Sequence, residues 1–179
     1  MGHKSNFPYT KSELNKRAEH FRGTQENRVH EFRLKKHTAA EKKSTKTDWW
    51  DMPLTVCSCG TRISPYVAAN GRNSSVLKNP HKVLVAAYNN ILDNNERIIG
   101  SIKLGTHPDK TIKTKLGLAG GKSWEAGRCA EPHAANRLLS RAKTVTRVSD
   151  ILFSNALDSR YPISKSYCVT CKCVFPQLR

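Results

Sequence analysis

Six cysteines are the residues of this sequence best equipped for chemistry. They fall as Cys57-x-Cys59, Cys129 and Cys168-x-x-Cys171-x-Cys173. The sequence carries no charged-then-apolar leader that would send it to an oxidising compartment, so thiols in this number point to metal rather than to disulfides. Cys168-x-x-Cys171 has the spacing of a zinc hook. Cys129 opens a helical segment as Cys129-Ala130-Glu131, with 36 residues (132 to 167) before the hook. A thiolate at a helix N-terminus gains from the helix dipole, and it would complete three sulfur ligands on Zn2+. Three protein ligands leave the fourth position to water, the arrangement of a catalytic site. Glu131 stands two residues from Cys129, placed to hydrogen-bond that water and to shuttle protons as general base and acid. A rival set, Cys57, Cys59, Cys168 and Cys171, would close a structural four-sulfur site and leave Cys129 spare. Cys173 reads as a free thiol.

The elements that must position these groups are legible in outline. Residues 1–48 form a polar, basic N-terminal arm, with helical spacing in Leu14, Ala18 and Phe21 and again in Val29, Phe32 and Leu34. Residues 49–179 form the folded domain. Cys57-Ser58-Cys59-Gly60, inside 54–67, suggests a turn between two short strands. Residues 70–80 are loop-like. Lys82–Tyr88 is a short apolar run of strand length, Asp93-Asn94-Asn95-Glu96 is turn chemistry, and Arg97–Leu104 reads as a second strand; together they predict a β-hairpin. Residues 105–127 read as a long loop with four lysines and five glycines. Its Gly120-Gly121-Lys122-Ser123 is no phosphate loop, because Leu116 stands where the first glycine is needed. Residues 129–142 repeat apolar side chains at helical spacing, and Pro132 is tolerated only in a first turn. Val148–Leu157 is a third strand and 168–178 a short helix or turn. The order, β-β-α-β-α, is that of an α/β domain: a mixed sheet with flanking helices.

Charge narrows the partner. The 179 residues include 31 Lys and Arg against 14 Asp and Glu, a net charge of +17. The arm contributes +6 and the remainder +11, so the excess is spread through the folded part. This points to a polyanion, most simply nucleic acid. No run of apolar residues is long enough to cross a membrane, and Asn6 breaks the pattern for N-myristoylation. No membrane partner is expected, and the expected location is cytoplasmic. Trp124 offers a base-stacking surface in the lysine-bearing loop, with Lys115, Lys122 and Arg128 to meet phosphates. Arg137 is a further phosphate candidate. Trp49 and Trp50 fit a core or a stacking role. His81 and His107 are candidates to touch a base, and His133 reads as a helix-surface residue.

Cys129-Ala130-Glu131-Pro132-His133-Ala134 and Cys168-Val169-Thr170-Cys171 together resemble the two-part signature of the zinc-dependent cytidine deaminase-like superfamily. The signature is His or Cys, Ala, Glu at the start of one helix and Pro-Cys-x-x-Cys opening the next. The likeness covers about residues 80–175, taking the Val83–Leu104 hairpin and the Ile151–Leu157 strand as elements of that fold. Within the superfamily the sequence is similar to the YwqJ-type deaminases of bacterial polymorphic toxins. The resemblance implies that Cys129, Cys168 and Cys171 bind Zn2+, that Glu131 moves the proton, and that cytosine in single-stranded DNA or RNA is hydrolytically deaminated. In a toxin setting it implies delivery into a target-cell cytoplasm and an immunity protein as a partner. Tyr167 departs from the signature, standing where the Pro is expected. The sequence ends eight residues past Cys171, so a sheet short at its C-terminal side is expected. Lys103 and Leu104 occupy the region where nucleoside deaminases hold ribose, which favours a polynucleotide over a free nucleoside. The alternative function is a catalytically inactive deaminase-like zinc protein that binds nucleic acid, as in a ribonucleoprotein.

Overall fold

The computed structural model describes residues 9–24, 55–61, 67–158 and 163–179. Trp49, Trp50, Val29, Phe32 and Leu34 lie outside these residues.

The alternation of Thr55–Thr61 (β1) assigns its two faces. Cys57 and Cys59 point into the main core, while Val56 packs with Ala18 and Leu157 on the opposite side. On one edge β1 pairs antiparallel with Ala68–Arg72 (β2), in a register that sets Val56 opposite Arg72 and Gly60 opposite Ala68. On the other edge lies the chain from 151 to 158. Ile151–Phe153 pairs with Cys59–Thr61, and Ala156–Asp158 pairs with Thr55 and Val56. Between them the ladder breaks at Ser154, and a side chain repairs it. The Ser58 N–H donates to Ser154 Oγ at 2.8 Å, and the Ser154 N–H returns a bond to the Ser58 carbonyl. The outer strand, Ser164–Lys165, pairs with Ala156 and Leu157. Lys165 there meets the buried Asp158 carboxylate at 2.7 Å. The fold is thus mixed α/β, built on a central β1, and its pairings among the described residues are antiparallel.

A helix over 11–24 (α1) covers the Val56 face with its buried Leu14 and Ala18. Arg17 Nε donates to Asn70 Oδ1, and Asn15 Oδ1 accepts from the Asn155 N–H, so the helix is bonded to both flanks of β1. No helix among the described residues is long and apolar enough to cross a membrane.

The run at 82–88 is a helix, Lys82–Asn89 (α2), and not the predicted strand. As a strand it would present apolar side chains on both faces; as a helix it buries one stripe, Leu84 and Tyr88, and leaves Val85 exposed. His81 starts it, its Nδ1 accepting from the Val83 N–H. The hairpin is correspondingly smaller. Ile91–Leu92 (β3) pairs with Ile98–Gly100 (β4) around the predicted turn, where Asp93 Oδ1 accepts from the N–H groups of Asn95 and Arg97. The 105–127 segment is not all loop, for Asp109 caps a short helix, Lys110–Lys115 (α3). Cys57–Gly60 forms no turn but the middle of β1, and 68–72 is strand rather than loop. The helix foreseen from Cys129 is Ala130–Leu139 (α4), with Pro132 in its first turn. The C-terminal helix is Val169–Val174 (α5). Arg179 ties α5 to the hairpin, bonding the carbonyls of Lys172 and Leu92.

What positions α4 is the smallness of the surfaces in contact. Ala130, Ala134 and Ala135 are fully buried against the sheet, and Gly71 of β2 lies under the first turn. A β-carbon on Gly71 would sit 2.1 Å from the Ala130 carbonyl oxygen and 2.4 Å from the Ala134 nitrogen. Backbone atoms cannot yield locally, so the whole N-terminal end of α4 would have to lift. Gly71→Ala is therefore expected to destabilise the protein by about 1–3 kcal/mol, the usual range of overpacking. Urea unfolding checks this, with Gly23→Ala as control. A β-carbon there meets nothing within 4 Å, and in a helix it should leave stability unchanged or slightly raised.

Candidate metal centre

Two helix N-termini converge on one point. Cys129 is the residue before α4, Cys168 the residue before α5, and Cys171 lies in the first turn of α5. The Cys129 and Cys168 sulfurs are 3.1 Å apart, and all three Sγ atoms lie within 4.8 Å of one another. The Cys171 N–H points at Cys168 Sγ, at 3.4 Å. Gly127, at φ +85°, turns the chain into Cys129, a conformation that favours glycine. The loop before it is bonded to α5: the Val169 N–H donates to the Lys122 carbonyl at 2.9 Å, and Thr170 Oγ1 donates to the Trp124 carbonyl. Tyr167, where the resemblance implied Pro, donates its hydroxyl to the Ser154 carbonyl. The break in the central ladder thus anchors the residue before Cys168.

Crowding governs the protonation of the cluster. Hydrogen bonds donated by the thiols of Cys129 and Cys171 hold Cys168 as the thiolate and push its pKa down to about 3. Cys129 is raised in turn, chiefly by that hydrogen bond, and Cys171 is raised well above the usual thiol range, chiefly by burial. Glu131 is buried, and its Oε2 accepts from Cys171 Sγ at 3.3 Å. Burial first, and then the charge on Cys168, push its pKa up to about 7.

One thiolate and two thiols within this distance form a site for a soft cation. Zn–S bonds of ~2.3 Å in a tetrahedron set sulfurs about 3.8 Å apart, between the shortest separation here and the outer limit. A buried cluster of three cysteines, 129, 168 and 171, could hold a metal ion such as zinc, and it is the one such group among the described residues. Cys57 and Cys59 do not join it. Both are fully buried, with thiol pKa values raised chiefly by burial. Cys57 nevertheless lies close enough to Glu131 and Cys129 to feel their charge. That neighbourhood has no spacing signal, because it depends on how α4 crosses the sheet.

Of the other predicted residues, Trp124, Lys122 and Arg128 come together with His107, Ser123 and Glu125 around an open pocket of about 320 Å³. Trp124 is 59% exposed. Arg128 is paired with Glu125 at 3.1 Å, and His107 Nδ1 meets Ser123 Oγ at the same distance. The pocket adjoins the cluster through the chain itself, since Arg128 precedes Cys129 and the Lys122 and Trp124 carbonyls bond α5. Lys115 is exposed at the end of α3 and is not among the lining residues. Arg137 donates to the Asn70 carbonyl. His133 is half-buried and contacts the Ser75 carbonyl, and His81 serves as a helix cap.

Comparison of the chain with protein-family models, with curated proteins and with solved structures finds no match.

Metal uptake should follow the geometry. The wild-type chain is expected to hold one zinc, Cys129→Ala to lose it, and Cys59→Ala to keep it, as read by elemental analysis after removal of free metal. Full occupancy in Cys129→Ala would restore the rival four-sulfur set.

Proposed function

We propose that this protein is a zinc-dependent hydrolytic deaminase acting on cytosine in nucleic acid, with single-stranded DNA or RNA as the substrate. The observation that carries the reading is Glu131: a buried carboxylate set against three sulfurs that two helix N-termini bring together. The element order supports it. A hairpin, a helix opened by Cys-Ala-Glu, a strand and a helix opened by Cys-x-x-Cys follow one another, as the deaminase-like resemblance implies. The hairpin that fits this order is β1–β2, packed on α4, rather than Val83–Leu104. Within that superfamily the YwqJ-type toxins remain the branch that the sequence resembles.

Cys129, Cys168 and Cys171 would hold the ion, which when bound supplies a nucleophilic oxygen from water at neutral pH. Glu131 takes the proton that this water gives up and passes it to the base and its departing amine. A carbon–oxygen bond forms at C4, the C4–nitrogen bond breaks, and ammonia leaves. Burial suits Glu131 to both halves of this task, because a carboxyl with a pKa near the working pH can both accept and release a proton. Trp124 gives a flat surface at the pocket rim, and Lys122 and Arg128 place positive charge where a flanking phosphate would lie. Lys115 would meet the strand further along. A single strand suits this site, since no pairing has to be broken to deliver the base.

The deciding experiment is sequencing of pooled single-stranded DNA, duplex DNA and RNA after incubation with the zinc-loaded protein. Cytosine-to-uracil changes are expected, reduced at least about 100-fold in Glu131→Gln, which should keep its fold and its zinc. Binding without any base change in the wild type would instead select the inactive nucleic-acid-binding reading. Binding to a fluorescent single strand should also weaken steeply as salt is raised. In the same assay Trp124→Ala is expected to cost about 1–3 kcal/mol, the worth of one stacked base.

A further inference from the structure

Tyr88 is the second buried tyrosine near the sulfurs, and it has no work to do in the fold. It lies near the C-terminal end of α2, 2% exposed, in the same core as Cys171. Its hydroxyl is the one buried side-chain oxygen or nitrogen among the described residues without a hydrogen-bond partner. The backbone of Gly127, two residues before Cys129, lies beside it but makes no bond of ordinary geometry with it. The cluster is close on the same side: charge on Cys171 first, then on Cys129 and Cys168, bears on the phenol and, together with burial, keeps its proton in place. A phenylalanine would fill this place without the penalty of an unpaired hydroxyl.

Metal uptake changes the count of donors and acceptors at the sulfurs. Without metal, the thiol protons satisfy the cluster internally, Cys129 with Cys168 and Cys171 with Glu131. Metal ligation removes those protons and leaves three anionic sulfurs, for which the visible donor is the Cys171 N–H to Cys168. The sulfurs must also spread from their closest separation of 3.1 Å. Cys171 then has lone pairs and no proton, and Tyr88 has a proton and no acceptor.

We propose that Tyr88 is a positioning residue of the metal centre, its hydroxyl donating a hydrogen bond to the Cys171 thiolate once a metal is bound. This rests on the metal-binding reading of the three cysteines, and it adds a residue that no motif spacing marks. Hydrogen bonds from outside the ligand set fix ligand orientation and tune the metal, and their loss commonly weakens affinity about 10–100-fold.

The test uses the full chain loaded with Co2+. Tyr88→Phe is expected to bind Co2+ about 10–100-fold more weakly in competition with a chromophoric chelator. Its sulfur-to-cobalt charge-transfer band should move to lower energy, because the thiolate has lost a donor. Tyr167→Phe, which removes a bond to backbone instead, should leave the band in place. A folded Tyr88→Phe with unchanged affinity and an unchanged band overturns the inference while leaving the metal centre intact. Failure of the wild type to take up Co2+ overturns both. Should Tyr88→Phe not fold, the 113Cd-loaded wild type decides: coupling between cadmium and the Tyr88 hydroxyl proton supports the bond, and its absence overturns it.

Discussion

How closely α4 approaches the sheet sets everything the site can do. At Gly71 the backbone of the helix's first turn lies where any β-carbon would collide, and three alanines line the rest of the contact. Larger residues would hold the helix at the usual distance of 8–10 Å or more between packed elements. Here the small ones let Cys129 and Glu131 sink to the level at which α5 delivers its two sulfurs. The packing also dries the carboxylate. A Glu at a helix N-terminus is ordinarily a solvated group of low pKa, and burial at this contact is the first cause of its upward shift. Geometry and acidity of the candidate site therefore share one origin.

Local chemistry was readable where local chemistry decides. Pro132 and the alanine and leucine stripe marked α4 to within a residue, because a proline in a first turn and a 3.6-residue period need no distant partner. The turn at Asp93 was equally plain, its side chain bonding the backbone two and four residues on. The misreadings fall where distant packing decides. Lys82–Asn89 is apolar on every side, so the sequence alone left its period open; burial of Leu84 and Tyr88 alone settles it. Cys57–Gly60 resembles a turn because it is small and ends in glycine. Yet Gly60 is small because Tyr9 and Leu14 press on that strand, with a β-carbon there lying 3.1 Å from the Tyr9 ring.

The same division runs through the site. Residue types and spacing named the sulfurs and Glu131, since a ligand set leaves a pattern in the sequence. They also gathered Lys122, Trp124 and Arg128 correctly, these being near neighbours on one loop. Lys115 failed the same reasoning because α3 and its cap at Asp109 carry it off the pocket. Tyr167 was legible only as a deviation. In the structure its hydroxyl reaches the gap at Ser154, and that bond stands in for the backbone constraint a proline would supply.

The central strand has a consequence for how the chain reaches this state. Ser58 bonds Ser154 across a sequence separation of 96 residues, and Asn15 bonds Asn155 across 140. β1 therefore cannot complete its ladder until segments from far along the chain have found one another, and closing such loops costs entropy before it returns any contact energy. High contact order of this kind goes with slow folding and a long exposure of unpaired strand edges. Cys168 and Cys171, by contrast, are neighbours from the outset. A metal caught by that pair would wait for Cys129 to arrive with α4, so ligand exchange and the last step of folding become one event.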